Sequence, residues 1–160
     1  SALGSFPNAT VIFTLPNADP EHGAIAEAIE KAAKANQDWH LFSSLGAKKY
    51  LSILDLASAV VGNSSSGLLE APTLGVPTVN IGPRQNGRLT AQSVISCGTQ
   101  RADIEAAITQ ALSREFVESL VGMESPYGKA GAVDRVLALL ESVPFDNLEE
   151  KQYYDYPDKT

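Results

Sequence analysis

Residues 59–75 read AVVGNSSSGLLEAPTLG, a short β-branched run that passes directly into a loop of small polar residues. The run at 59–61 predicts a buried strand, because it is apolar on both faces. Residues 66–74 predict a helix that Gly75 terminates, since glycine readily adopts the left-handed conformation that follows a helix. A strand joined to a helix by so short a loop is typical of α/β folds.

The same alternation continues on both sides of this stretch. Predicted strands lie at residues 11–15, 39–42, 78–81 and, with a weaker pattern, 93–95. Apolar residues at helical spacing predict helices over 20–35, around 50–57, around 104–112 and around 133–140. Asp19 and Pro20 suit the cap and first position of the first helix.

Strands that alternate with helices pair in parallel through right-handed crossovers. The predicted fold class is therefore α/β: a Rossmann-like, doubly wound parallel sheet in three αβα layers. We expect a single domain over residues 1–160, with a compact core at about 10–142 and a tail at 143–160. Ligands of such open sheets bind at the carboxyl ends of the strands.

Composition limits the classes of partner. Hydrophobic residues make up 44% of the 160 and charged residues 19%, as in an ordinary globular protein. No apolar stretch is long enough to cross a bilayer, and the N-terminus lacks the pattern of a secretory signal, so we expect no membrane partner. A net charge of -7 disfavours nucleic acid but not a single nucleotide. The single cysteine, Cys97, fits a reducing, cytoplasmic location and a small buried side chain.

The loop GNSSSG at residues 62–67 is a candidate anion site. Its small residues let a ligand approach the backbone, and N–H groups at a helix start together with serine hydroxyls suit an anion. A serine that merely caps the helix is an equally good interpretation of this loop alone. The spacings of the dinucleotide fingerprint and of the P-loop are both absent, which disfavours NAD and ATPase functions.

Four further residues are candidates for the same site. Glu70 lies among apolar neighbours, where its carboxylate suits either the two hydroxyls of a ribose or a solvent-facing position. Arg84 and Arg88 lie in a glycine-bounded loop after a strand and suit phosphates, or else are solvated or ion-paired. Asn17 follows the first strand, where it either lines a ligand cleft or forms a turn.

The chain has no pattern of catalytic or metal-binding side chains. His22 and His40 lack a nucleophile or carboxylate at triad-like spacing, and no Cys/His cluster has metal-ligand spacing. We therefore predict no metal and no cofactor in these 160 residues, and we interpret both histidines as structural.

The sequence resembles the C-terminal domain of the hydrolysing UDP-N-acetylglucosamine 2-epimerases, and most of all their sialic- and legionaminic-acid branch. The resemblance covers roughly residues 10–142. It is carried by the segments VIFTLPNAD (11–19), VGNSSSGLLEAP (61–72), GVPTVNIGPRQNGR (75–88) and SPYG (125–128). In the last segment Ser125 stands where the family has Asn.

The resemblance implies a two-domain enzyme of the glycosyltransferase-B type with UDP, or a UDP-N-acetylhexosamine, in the cleft. Ser64, Ser65 and the backbone of Ser66 would hold the diphosphate, and Glu70 the ribose. Arg84 and Arg88 would face the phosphates or the sugar. Asn17 would line the cleft, and the backbone near 44–45 would contact the uracil.

The family's reaction eliminates UDP and adds water to the resulting glycal, releasing N-acetylmannosamine or a related sugar. Its acid–base carboxylates belong to an N-terminal domain, and its functional histidine precedes the strand at residue 11. Neither has a counterpart here, so the resemblance implies that this chain contains no catalytic residue. We therefore expect a C-terminal piece that is inactive alone, taken from an enzyme that is a homo-oligomer at full length.

Two other functions remain open. One is the C-terminal domain of a UDP-sugar glycosyltransferase, which also binds ribose through a carboxylate. The other is a non-catalytic domain with a degenerate site. The sequence RQNGR at 84–88 favours the epimerase.

Overall fold

The computed structural model describes residues 1–15, 22–128 and 131–144. The chain divides into two compact units, Ser1–Gly128 and Lys129–Thr160. The strands of the first unit are β1 Val11–Thr14, β2 Trp39–Phe42, β3 Val60–Gly62, β4 Thr78–Ile81 and β5 Val94–Cys97. Its helices are α1 His22–Lys34, α2 Gly46–Leu56, α3 Ser66–Leu69, α4 Arg101–Ala111 and α5 Arg114–Ser119. Short 3-10 helices lie at Ala2–Ser5, Ala71–Leu74 and Pro83–Gln85.

All the described strands pair in parallel, as the alternation predicts. Among the described residues, ladder hydrogen bonds group them into two sheets, β1–β2 and β3–β4–β5, in place of one continuous sheet. The larger sheet has β4 at its centre, where Val79 lies between Val61 and Ile95. Helices α1, α2 and α3 lie in the connections from β1 to β2, β2 to β3 and β3 to β4, whereas the connection from β4 to β5 contains the 3-10 helix Pro83–Gln85. The carboxyl ends of β3, β4 and β5 therefore lie at one edge.

The two faces of β4 contact different helices. Val79 faces α4, in an apolar cluster that buries Val79, Ala107, Ile108 and Ala111. Thr78, one residue earlier, points to the opposite face and donates from Oγ1 to the backbone oxygen of Gly67 in α3, at 2.9 Å. Successive strand residues point to opposite faces, so helices cover both sides of the sheet. The predicted Rossmann-like, three-layer fold class is confirmed.

The helix predicted at residues 66–74 is instead two shorter pieces, α3 and the 3-10 helix Ala71–Leu74. Pro72 has no backbone N–H to continue the α-helical hydrogen bonds, which accounts for the change. Gly75 ends the second piece at φ 70°, as predicted. The break leaves Glu70 at the junction between the two pieces.

Other predicted elements agree within a few residues, with two differences. β5 extends to Cys97, two residues beyond the predicted strand, and the thiol is partly buried inside the strand. Burial, and then the charge of Asp103, raise the pKa of this thiol. Helix α5 is absent from the sequence predictions. Ser113 caps it by accepting a hydrogen bond from the Phe116 N–H at 3.2 Å. The predicted cap at Asp19 and Pro20 lies outside the described residues.

In the second unit, the predicted last helix is α6, Ala132–Ser142, which begins after Gly131 at φ 88°. Its apolar side chains are 49–70% exposed: Val133, Val136, Leu137, Leu139 and Leu140. Of the helices in the described part of the chain, none has the length and apolar character that a membrane crossing requires.

Candidate functional site

The serine loop, residues 62–67, leaves the carboxyl end of β3 and enters α3. Its own backbone closes it: the Gly67 N–H donates to the Ser64 carbonyl at 3.2 Å, and the Leu68 and Leu69 N–H groups both donate to the Ser65 carbonyl at 2.9 Å. The amide N–H groups of Ser64 and Ser65 have no acceptor among the described residues. The loop thus presents backbone donors as well as hydroxyls, which is what an anion requires.

Gly67 lets α3 lie directly against β4. A Cβ at this position would stand 2.6 Å from Cγ2 of Thr78, closer than carbon atoms approach. The Thr78 hydroxyl meanwhile bonds the Gly67 carbonyl. The second glycine of the serine loop is therefore required by close contact, and it sets the depth at which the loop sits over the sheet.

Tyr50 of α2 makes a hydrogen bond through its hydroxyl with the Oγ of Ser66. From the sequence, Tyr50 is only one member of the apolar stripe at 50–57. The signal in the sequence is that it alone in that stripe carries a polar group beyond an apolar ring. The contact joins α2 to the first turn of α3.

A cavity of about 340 Å³ opens at the carboxyl ends of β1 and β2, in the range of small-molecule sites. It is lined by Thr14, Leu15, Ser43, Ser44, Leu45, Gly46, Ala47 and Tyr50. Because Tyr50 both lines this cavity and contacts Ser66, the cavity adjoins the serine loop. The cavity includes Ser44 and Leu45, the position expected to contact a uracil.

Glu70 is half-buried at the junction that Pro72 creates. Its N–H donates to the Ser66 carbonyl at 3.0 Å, which ties it to the serine loop. Its Oε2 atom is inaccessible to solvent and has no hydrogen-bond partner among the described residues. A buried acceptor without a partner costs free energy, so a rotation that turns this carboxylate toward a ligand with hydroxyl donors would be favourable.

The arginine loop, residues 82–92, follows β4 at the same edge of the sheet. Arg84 and Arg88 are exposed, and neither forms an ion pair within the described residues. Gln85 between them is buried, and its Nε2 donates to the Asn63 carbonyl at 2.7 Å. Gln85, which the sequence analysis did not single out, therefore joins the arginine loop to the serine loop.

The structure thus brings most of the predicted site to one edge of the fold. Ser64, Ser65, Ser66 and Glu70 belong to one continuous segment, and Gln85 links that segment to the arginine loop. Asn17 lies outside the described residues. Across residues 1–15, 22–128 and 131–144, no three His, Cys, Asp or Glu side chains group as metal ligands would.

Comparison with known proteins adds independent information. The chain is 35% identical over 155 residues to the GDP/UDP-N,N'-diacetylbacillosamine 2-epimerase (hydrolyzing) of Campylobacter jejuni, covering 96% of this chain and 40% of that protein. It is 32% identical to the polysialic acid biosynthesis protein P7 of Escherichia coli, over all of this chain and 41% of that protein. The chain thus spans about two fifths of the length of these curated relatives.

Solved structures share the fold. The UDP-GlcNAc 2-epimerase of Neisseria meningitidis, bound to UDP-GlcNAc, matches with a TM-score of 0.67 at 19% identity, over 87% of this chain and 38% of that one. A putative UDP-N-acetylglucosamine 2-epimerase from Listeria monocytogenes matches with a TM-score of 0.70 at 20% identity, over 98% of this chain and 41% of that one.

The family model for UDP-N-acetylglucosamine 2-epimerase matches residues 1–141, which takes in every described element of the first unit. With most of the sequence matched and hydrolysing 2-epimerases among its relatives, this chain belongs to the UDP-N-acetylglucosamine 2-epimerase family.

Proposed function

We propose that residues 1–128 bind the UDP portion of a UDP-N-acetylhexosamine in a hydrolysing 2-epimerase. The uracil would occupy the cavity beside Tyr50, the ribose would meet Glu70, and the diphosphate would lie between the serine and arginine loops. These groups are neighbours in the fold, because Tyr50 touches Ser66 and the Ser66 carbonyl accepts a hydrogen bond from the Glu70 N–H.

The observation that carries this proposal is the buried, unpartnered Oε2 of Glu70. A ribose supplies two neighbouring hydroxyl donors, which match the acceptor capacity of one carboxylate. Hydrogen bonds to a charged acceptor contribute more than neutral ones, because the ion polarises them.

The diphosphate would be held by backbone and side chains together. Ser64 and Ser65 offer N–H groups that have no acceptor in the part of the chain that the structure describes, and the hydroxyl of Ser66 is positioned by Tyr50. Arg84 and Arg88 add positive charge in a chain with a net charge of -7. Asn17 is proposed to line the same cleft from the end of β1.

In the reaction we propose, UDP leaves by elimination and water then adds to the glycal, releasing N-acetylmannosamine or a related sugar. This chain would hold the leaving group, and its anion-binding groups would stabilise the charge that develops on the departing diphosphate. The acid–base carboxylates would come from a second domain beyond these 160 residues. The isolated chain is therefore proposed to be inactive, and the whole enzyme to be a cytoplasmic homo-oligomer.

Calorimetric titration of the 160-residue chain with UDP tests the binding proposal. Glu70→Ala should weaken UDP binding by about 10- to 100-fold, the effect of losing hydrogen bonds to a charged group. The same substitution should leave the affinity for 2',3'-dideoxy-UDP unchanged, because this analogue lacks both ribose hydroxyls. Glu118→Ala, at an exposed carboxylate in α5, is the matched control.

Two results would contradict the proposal. One is an unchanged UDP affinity in Glu70→Ala, and the other is an equal loss for UDP and its dideoxy analogue. Measurable turnover of UDP-N-acetylglucosamine by the isolated chain would refute the proposed division of labour between domains.

A further inference from the structure

The SPYG segment at residues 125–128 forms a small turn to which the proposed function assigns no role. The Ser125 hydroxyl accepts from the Tyr127 N–H at 3.3 Å, and the Ser125 carbonyl accepts from the Gly128 N–H at 3.0 Å. Gly128 adopts φ 98°, which favours glycine. A serine can close such a turn as asparagine does, since both offer a side-chain oxygen two residues ahead of the N–H.

The turn positions the ring of Tyr127 to reach the arginine loop. Its hydroxyl donates to the backbone carbonyl of Leu89 at 2.9 Å, although the two residues are 38 positions apart. Leu89 directly follows Arg88, and its own side chain is 64% exposed. At this point the loop is held by a hydrogen bond and not by burial of an apolar side chain.

Arg88 has few other constraints. Its N–H donates to the Gln85 carbonyl at 3.3 Å, a long hydrogen bond, and its side chain has no ion pair in the described part of the chain. Gly87 before it takes φ 82°, so the backbone turns sharply there. Within the described residues, the hydrogen bonds that limit the backbone on either side of Arg88 are therefore the one to the Gln85 carbonyl and the one from the Tyr127 hydroxyl.

We propose that Tyr127 is a positioning residue for Arg88. By holding the Leu89 carbonyl, it restricts the backbone from which the Arg88 side chain extends, so less conformational freedom is lost when the guanidinium meets a phosphate. The effect on ligand affinity rests on the proposed binding of UDP. The effect on the loop itself does not.

The ligand-independent test is limited trypsin digestion of the 160-residue chain, because trypsin cleaves the Arg88–Leu89 bond next to this contact. Tyr127→Phe removes the hydroxyl and keeps the ring. It should speed cleavage after Arg88 several-fold, and leave cleavage after Arg114 in α5 unchanged. Equal rates at Arg88 in both proteins would overturn the proposal, whether or not the chain binds UDP.

The ligand-dependent test is a double-mutant cycle with UDP and uridine as titrants. Tyr127→Phe should lower the affinity for UDP by about threefold to tenfold, the effect of one hydrogen bond. The affinity for uridine should not change. Added to Arg88→Ala, Tyr127→Phe should cause no further loss, because both changes act through one guanidinium.

Full additivity in the cycle, or an equal loss for uridine, would overturn the positioning role. Absence of UDP binding by the unmodified chain would instead refute the proposed function, and the digestion would still decide whether Tyr127 holds the loop.

Discussion

The serine and arginine loops lie at the same edge of one sheet, yet they are held in opposite ways. The serine loop is half-buried, closed by its own backbone, and pressed against Thr78 at Gly67. The arginine loop is mostly exposed, and beyond its own backbone turns it is connected to the rest of the fold by the hydrogen bonds of Gln85 with Asn63 and of Leu89 with Tyr127. The first arrangement fixes the direction of its donors before a ligand arrives, and the second supplies charge that acts over a distance.

The two glycines Gly67 and Gly87 provide the largest expected difference between the loops. Gly67→Ala places a Cβ 2.6 Å from Thr78, and such overpacking should lower the free energy of unfolding by about 1–3 kcal/mol. Gly87→Ala meets nothing within 4 Å but keeps φ at 82°, for which we expect a loss of about 1 kcal/mol. Urea denaturation measures both. If Gly87→Ala lost more free energy of unfolding than Gly67→Ala, the arginine loop and not the serine loop would be the more tightly constrained of the two.

The salt dependence of UDP binding separates charge from backbone geometry. Arg84→Ala should lower the affinity for UDP by about tenfold at low salt, the effect of one charge-assisted contact. At high salt the loss of affinity should be smaller, because salt screens the charge. Ser64→Ala should cause a smaller loss that changes little with salt, because a hydroxyl carries no net charge. Calorimetry at two sodium chloride concentrations tests this, and parallel salt curves for the two variants would contradict it.

Removing the hydroxyl of Tyr50 tests how far the serine loop depends on α2. Tyr50→Phe keeps the ring that lines the cavity but removes the hydrogen bond to Ser66. We expect a loss of about 1 kcal/mol in the free energy of unfolding, typical of one partly buried hydrogen bond. Ser66→Ala should lose a similar amount, and the double variant should lose less than the sum. Thermal denaturation of the three variants measures these losses. If the loss in the double variant equals the sum of the two single losses, the hydrogen bond between Tyr50 and Ser66 contributes little to stability.

The smallest effect is expected at Glu105, on the surface of α4, which serves as a reference outside both loops. Hydrogen bonds from Ser5 first, and then from Arg101, hold its pKa below the usual glutamate value of 4.5. The ionised carboxylate therefore stabilises the fold above that value, and the contribution is lost as the pH falls through the lower, folded-state pKa.

Glu105→Gln should accordingly lower the melting temperature slightly at pH 7, and the difference should disappear in acid. UDP affinity should not change. A loss of UDP affinity in this variant would show that the loops respond to general destabilisation, and it would weaken the conclusions drawn from their own variants.

The sequence by itself determined the layered α/β fold and the edge at which the candidate site lies. Hydrophobic periodicity and the position of Gly75 are local signals, so they define strands and helices without knowledge of distant contacts. Parallel strands also bring their carboxyl ends to one edge, so the segment with Glu70 and the segment with Arg84 could be assigned to the same face of the fold in advance.

Only the tertiary structure decided how these segments are held. Tyr50 with Ser66, Gln85 with Asn63 and Tyr127 with Leu89 join residues that are distant in the chain. In the last two pairs the acceptor is a backbone carbonyl, which every residue carries, so the partner's identity leaves no trace in the sequence. The buried, unpartnered oxygen of Glu70 is equally a product of its surroundings, since exposure and hydrogen bonding are set when the elements come together.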